Sequence, residues 1–102
     1  MTRNAINRTE ELSELRQEID AVDARIIAAL AARMAVIDKI VALKHDANLP
    51  AFIPDRVEQV IQNVRSQAKI AGLSPELAER LWRNMMDWVI VYEKDLLDTP
   101  KR

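Results

Sequence analysis

Ten positions spaced alternately by three and four residues run through the first half of the chain: Leu12, Leu15, Ile19, Val22, Ile26, Ala29, Arg33, Val36, Ile40 and Leu43. That spacing is one stripe on a helix, and a stripe sustained for more than four heptads predicts a single long helix lying against a partner. The helix is expected to start near Thr9, an N-cap before the acidic pair Glu10 and Glu11, and to run to about His45 or Asp46, where Asn48 and Pro50 stop it. Some 36 residues of helix would span roughly 54 Å, whereas a compact globule of this size has a radius of gyration of only about 13 Å. Such a helix overhangs its own fold. A homodimer whose long helices lie along one another covers the seam most economically; a solvated coiled-coil arm is the alternative.

The rest of the chain reads as two more helices. A polar, Pro-containing connection from Asn48 to Ile53 leads to a helix opened by Pro54 and Asp55, carrying Val57, Val60, Ile61, Val64 and Ala68 and ending at Gly72. Ser74, Pro75 and Glu76 supply an N-cap, a first-turn proline and a first-turn acid for a third helix with Leu77, Leu81, Met85, Val89, Tyr92 and Leu96 on its apolar face, stopped before Pro100. One glycine in 102 residues and no alternating β-branched runs leave little room for strands, so the expected fold is all-α, three helices per chain. No linker or repeat divides it: residues 1–102 are expected to form a single domain with an ordered core over about 9–98.

Composition narrows the chemistry. A net charge of −1 gives no basic footprint for nucleic acid. The absence of cysteine excludes disulfides and thiolate catalysis, and His45 alone falls short of a usual zinc cluster, so neither metal nor cofactor is expected. The amino terminus lacks the apolar core of a secretory signal, and no apolar run is long enough to span a membrane; a cytoplasmic, soluble protein is expected.

Arg33 is the one charge in the apolar seam. A guanidinium stays ionised, so if buried it needs an anion or several acceptors, and its neighbours at three and four residues, Ala29, Leu30, Val36 and Ile37, offer none. It could snorkel to solvent or pair with a carboxylate of another helix; alternatively a ligand brings the negative charge. Lys44 follows eleven residues later, which on a helix returns it to within about 20° of the same face and about 16 Å along the axis. The two long side chains can converge on a small anion. Arg16 has Asp20 at i+4 and could simply form a surface pair.

Glu93 has Val89, Ile90, Leu96 and Leu97 as its helical neighbours. Burial there would favour the neutral, proton-donating acid, and a nearby lysine would push the other way; outside the core it would face water beside Lys94. Trp82 and Trp88, with Met85 and Met86, read as core or subunit contacts rather than a cofactor box.

The run Leu15-Arg16-Gln17-Glu18-Ile19-Asp20, then Asp23, Leu30-Ala31-Ala32-Arg33-Met34, Leu43-Lys44, Pro54-Asp55-Arg56-Val57, Gly72-Leu73 and Tyr92-Glu93 resembles the all-helical chorismate mutase family, with its isochorismate pyruvate lyase and aminodeoxychorismate mutase relatives. The likeness covers Leu12 to Leu97, and the ordered set Arg16, Arg33, Lys44 and Arg56 is its specific part. The resemblance implies an intertwined homodimer with two sites, each completed by Arg16 from the other subunit. It further implies that Arg16 and Arg33 hold the two carboxylates of a chorismate-like dianion, that Lys44 bonds a carboxylate and the ether oxygen, and that Arg56 adds positive field near the ring. The implied reaction is the Claisen rearrangement of chorismate to prephenate. It requires no nucleophile, metal or cofactor, only a held conformation and charge stabilisation at the breaking C–O bond.

Two features depart from the family pattern. Many members have glutamine where Glu93 falls, and a carboxylate cannot donate to the ether oxygen, so Glu93 would have to be protonated. Activity is then expected to decline as pH rises, and Glu93→Gln to flatten the profile. Val57 stands where typical mutases have an acid that receives the ring hydroxyl, and Val89 where a small hydroxyl residue is common. The Arg56-Val57 pair also resembles the lyase and aminodeoxychorismate branches, which makes isochorismate pyruvate lyase the second reading and the amino analogue the third. A non-catalytic helical dimer, acting as an interaction module, is the alternative outside enzymes.

Overall fold

A computed structural model describes residues 2–98, with side chains from Asn7 onward. Its described residues form three helices and no strand: α1 (Thr2–Ala47), α2 (Pro54–Ala71) and α3 (Pro75–Leu97). The chain resolves into two compact units, Met1–Asp38 and Lys39–Arg102.

The first unit is helical throughout its described residues, and the helix starts seven residues earlier than the sequence suggests, at Thr2 rather than Thr9. Thr9 is therefore an exposed residue inside α1 and not its N-cap. The reason is local: residues 2–8 contain neither proline nor glycine, so nothing obliges the backbone to leave the helix at Thr9, and a cap requires non-helical backbone angles. The predicted seam is present, and Leu12, Leu15, Ile19, Val22, Ile26 and Val36 are all exposed in the single chain. Leu30, Arg33, Met34 and Ile37 are half-buried.

In the second unit α1 finishes with Lys44 and His45 in its last turn, where positive charge complements the partial negative charge of the helix end. It ends at Ala47, one or two residues beyond expectation. Asn48 then adopts a left-handed backbone at φ 57°. Its N–H donates to the His45 carbonyl at 3.3 Å, and the Leu49 N–H donates to the Lys44 carbonyl at 2.8 Å. This pairing is a Schellman stop, which satisfies carbonyls the helix leaves unmatched.

α2 opens as expected on Pro54, with extended Ile53 before it and Asp55 in the first turn. It closes on the same motif: Gly72 lies at φ 79° and the Leu73 N–H donates to the Ala68 carbonyl at 2.8 Å. A Cβ on Gly72 would meet nothing within 4 Å, so glycine is there for its backbone angle and not for space. Ser74 caps α3 through its Oγ, which accepts from the Leu77 N–H at 3.2 Å. α3 ends at Leu97; the predicted stop, Pro100, lies outside the described residues.

α2 and α3 pack together as an antiparallel hairpin. Their ion pairs fix the direction: Arg65 meets Glu79 at 2.8 Å and Glu58 meets Arg83 at 3.2 Å, so partners move in opposite senses along the two helices. Arg83 also holds Glu79 at 2.7 Å. The hydrogen bonds from Arg83 and Arg65 hold the Glu79 carboxyl below its ordinary value. Those from Arg83 to Glu58 and Glu79 raise the guanidinium further above its already high range.

The buried apolar side chains of this unit are Ile61 and Ala68 of α2, Ala78, Met86 and Val89 of α3, and Val41 and Ala51. Ile61, 1% exposed, is the one large side chain fully buried among the described residues, and its burial stabilises the hairpin by about 1.5–3 kcal/mol. Trp88 is 61% exposed and stacks on Tyr92 with ring centroids 5.4 Å apart; Trp82 is half-buried. No helix among the described residues is long and apolar enough to cross a membrane.

Candidate active site

Glu93 is the buried acid of α3, 5% exposed. Its position follows from the helix repeat, because Met86 and Val89, seven and four residues earlier, are buried on the same face and carry Glu93 inward with them. The acid is not left among apolar groups. Lys44 reaches it from the last turn of α1, donating from Nζ to Glu93 Oε1 at 3.0 Å, with the two side chains 14% and 7% exposed. The orientation beside Lys94, out in water, is excluded. Of the two opposing influences foreseen for Glu93, burial and a nearby lysine, the structure contains both.

Lys44 makes a second bond, from Nζ to the backbone carbonyl of Ala51 at 3.0 Å. Sequence reasoning missed Ala51. Its contribution is a main-chain oxygen that no side-chain pattern announces; the available signal was the asparagine at position 48, a residue that tolerates left-handed backbone and turns the chain back. An ammonium has three N–H donors. Two are committed to protein acceptors in geometrically fixed directions, which aims the third.

Arg56 is exposed at the start of α2, where its Nη1 donates to Gln59 Oε1 at 2.7 Å. Val57 is half-buried and Val89 is buried at 4% exposure; neither can bond a ring hydroxyl. Arg16 and Arg33 belong to the first unit. Arg16 is exposed, while Arg33 is half-buried with its Nη1 shut off from solvent. Of the five predicted residues, then, the structure brings Lys44 and Glu93 into direct contact. A groove of about 390 Å³ lies behind the connection, lined by residues including Pro50, Ala51, Lys94 and Asp98. It does not contain the Lys44–Glu93 pair.

A cation held by a main-chain oxygen and a buried acid, with one N–H left over, can donate to an anion. The sequence profile of the chorismate mutase type II family matches residues 15–94, which include both Lys44 and Glu93. The chain belongs to the chorismate mutase type II family. Its relatives include the T-protein of Haemophilus influenzae, 35% identical over 77 residues that make up 76% of this chain and 20% of that protein. The T-protein of Enterobacter agglomerans is 31% identical over 85 residues, 83% of this chain and 23% of that protein. The bifunctional chorismate mutase/prephenate dehydratase of Aquifex aeolicus is 31% identical over 90 residues, 85% of this chain and 25% of that protein. The chain thus spans a fifth to a quarter of the length of these relatives. Its all-helical, three-helix fold is consistent with the family.

Proposed function

We propose that this chain is a chorismate mutase, converting chorismate to prephenate by a pericyclic rearrangement. The observation that carries the reading is the Lys44 ammonium, held at 3.0 Å by both Ala51 O and Glu93 Oε1 within the family-matched residues. The rearrangement breaks one C–O bond and forms one C–C bond within a single molecule. The protein has to hold the enolpyruvyl chain over the ring and stabilise negative charge on the departing ether oxygen. A fixed cation meets the second need without reorganising during the reaction.

In this reading Lys44 directs its one remaining N–H between a substrate carboxylate and the ether oxygen, shared as a three-centre bond, Arg33 binds a carboxylate, and Arg56 contributes positive field near the ring. Glu93 orients Lys44 by accepting from its Nζ through Oε1. Glu93→Gln keeps an acceptor for Lys44 and adds an N–H that can donate toward the ether oxygen, so turnover should survive the substitution.

The functional unit is an intertwined homodimer in a cytoplasmic setting, residues 1–102 acting as one domain. Support comes from the exposed α1 seam, since Leu15, Ile19 and Ile26 are each more than half exposed and a lone helix with such a face gains little stability in water. Arg16 is contributed in trans. Mixing Arg16→Ala with Arg33→Ala tests this: a trans arrangement regenerates one intact site per mixed dimer and returns about a quarter of wild-type activity after random exchange. Continued inactivity of a mixture shown to exchange subunits would refute it.

Val57 and Val89 favour a second reading, isochorismate pyruvate lyase, because both replace groups that would hold the ring hydroxyl of chorismate. Separate incubation with chorismate and with isochorismate decides between them: prephenate supports the mutase, salicylate with pyruvate the lyase. A folded protein that releases neither and does not bind a dicarboxylate transition-state mimic would leave the non-catalytic dimer.

A further inference from the structure

The helix stop at the end of α1 and the cation of the candidate site share one residue. Lys44 is the residue whose carbonyl accepts the closing Schellman bond from Leu49, at 2.8 Å, and whose ammonium donates to the carbonyl of Ala51, at 3.0 Å. Between these two bonds the chain reverses through Asn48, the one non-glycine residue with positive φ among the described residues. Ala51, which the reversal returns to Lys44, is buried at 8% exposure. The direction of the Lys44 ammonium therefore depends on a backbone conformation four residues away.

We propose that Asn48 is a positioning residue for Lys44: its left-handed backbone returns the Ala51 carbonyl to the ammonium and so sets the direction of the remaining N–H. Asn48 need not touch a ligand to do this. Glu93 alone fixes one N–H and leaves the ammonium free to rotate about that bond; a second acceptor in a different direction removes the rotation. A main-chain acceptor suits the task because, unlike a second carboxylate, it offsets none of the positive charge. The consequence for turnover rests on the mutase reading above, whereas the geometry of Lys44 can be read without it.

The experiment compares the wild-type chain with Asn48→Gly, Asn48→Val and, as a control, Gly72→Val. Glycine accepts the left-handed backbone and a β-branched residue resists it. Gly72→Val places the same conflict at the other Schellman stop, away from Lys44. Trace acetylation with acetic anhydride, read by mass spectrometry, gives the labelling rate of Lys44 relative to Lys39 and Lys94. Asn48→Val should accelerate Lys44 labelling while Asn48→Gly and Gly72→Val leave it at the wild-type rate. With chorismate as substrate, kcat/KM should fall about tenfold in Asn48→Val, the factor expected when a left-handed residue is forced out of place, and Asn48→Gly should restore it.

If Asn48→Val does not fold, Asn48→Ala carries the same test with a smaller backbone conflict. Wild-type labelling of Lys44 in the folded Val or Ala variant would overturn the proposal. So would Asn48→Gly impaired as much as Asn48→Val, since the asparagine side chain would then be the determinant. Failure of the wild type to rearrange chorismate would sink the mutase reading alone, with the labelling still deciding the positioning role.

Discussion

Removing Lys44 while leaving Glu93 in place should be among the most damaging single changes in the second unit. Lys44→Met preserves most of the side-chain volume but takes away the cation that lies 3.0 Å from a carboxylate in a residue only 5% exposed. Breaking a buried pair from one side costs about 3–5 kcal/mol, because the remaining charge is left desolvated. Lys44 retains 14% side-chain exposure, so water can reach part of the gap and the low end, about 3 kcal/mol, is expected. In a chain of this size that lowers the melting temperature by roughly 12 °C or more. Lys44→Met/Glu93→Met removes both charges and should recover most of the loss, since apolar replacement of a buried pair is often near neutral. With Glu93→Met as the second single variant, urea unfolding followed by circular dichroism, at one fixed protein concentration so that association does not enter the comparison, gives the four stabilities of the cycle. A single variant within about 0.5 kcal/mol of wild type, or a double variant weaker than the single, would refute the account.

Three other expectations concern the α2–α3 hairpin. Gly72→Ala forces a Cβ into left-handed backbone with no steric contact and should cost about 1–2 kcal/mol in the same unfolding assay. Ser74→Ala removes the acceptor for the Leu77 N–H and should cost about 1 kcal/mol. Glu79, whose carboxyl is depressed chiefly by the Arg83 hydrogen bond and further by Arg65, binds fewer protons folded than unfolded. Its stabilisation is therefore fully present above the ordinary carboxylate value of 4.5 and is lost as pH falls through the depressed one. Glu79→Gln should flatten the acid side of a stability-versus-pH curve measured by thermal melting.

What the sequence made legible were features with a local physical cause. Pro54, Gly72, Ser74 and Pro75 occupy the helix ends assigned to them, because proline, glycine and a capping serine act through the backbone next to them. The inward position of Glu93 could be posed from its apolar neighbours but not resolved, since a single helix does not say which groups its neighbours bring. The start of α1 was misread because Thr9 has cap chemistry without a helix breaker before it. The bond from Lys44 to Ala51 was invisible for a different reason: the acceptor is main chain, and its place is set by one backbone angle at Asn48. The predicted contact of Lys44 with a ligand carries the same lesson, because its first partners are the protein's own.

The sparse interior of the second unit has a calorimetric consequence. With Ile61 the one large side chain fully shielded among the described residues, melting a lone chain would newly wet little apolar surface, and the heat-capacity increment follows that surface. It should fall below the roughly 12–15 cal/mol/K per residue of ordinary domains. The curve of free energy against temperature would then be broad and shallow, changing little between a cold day and a warm one.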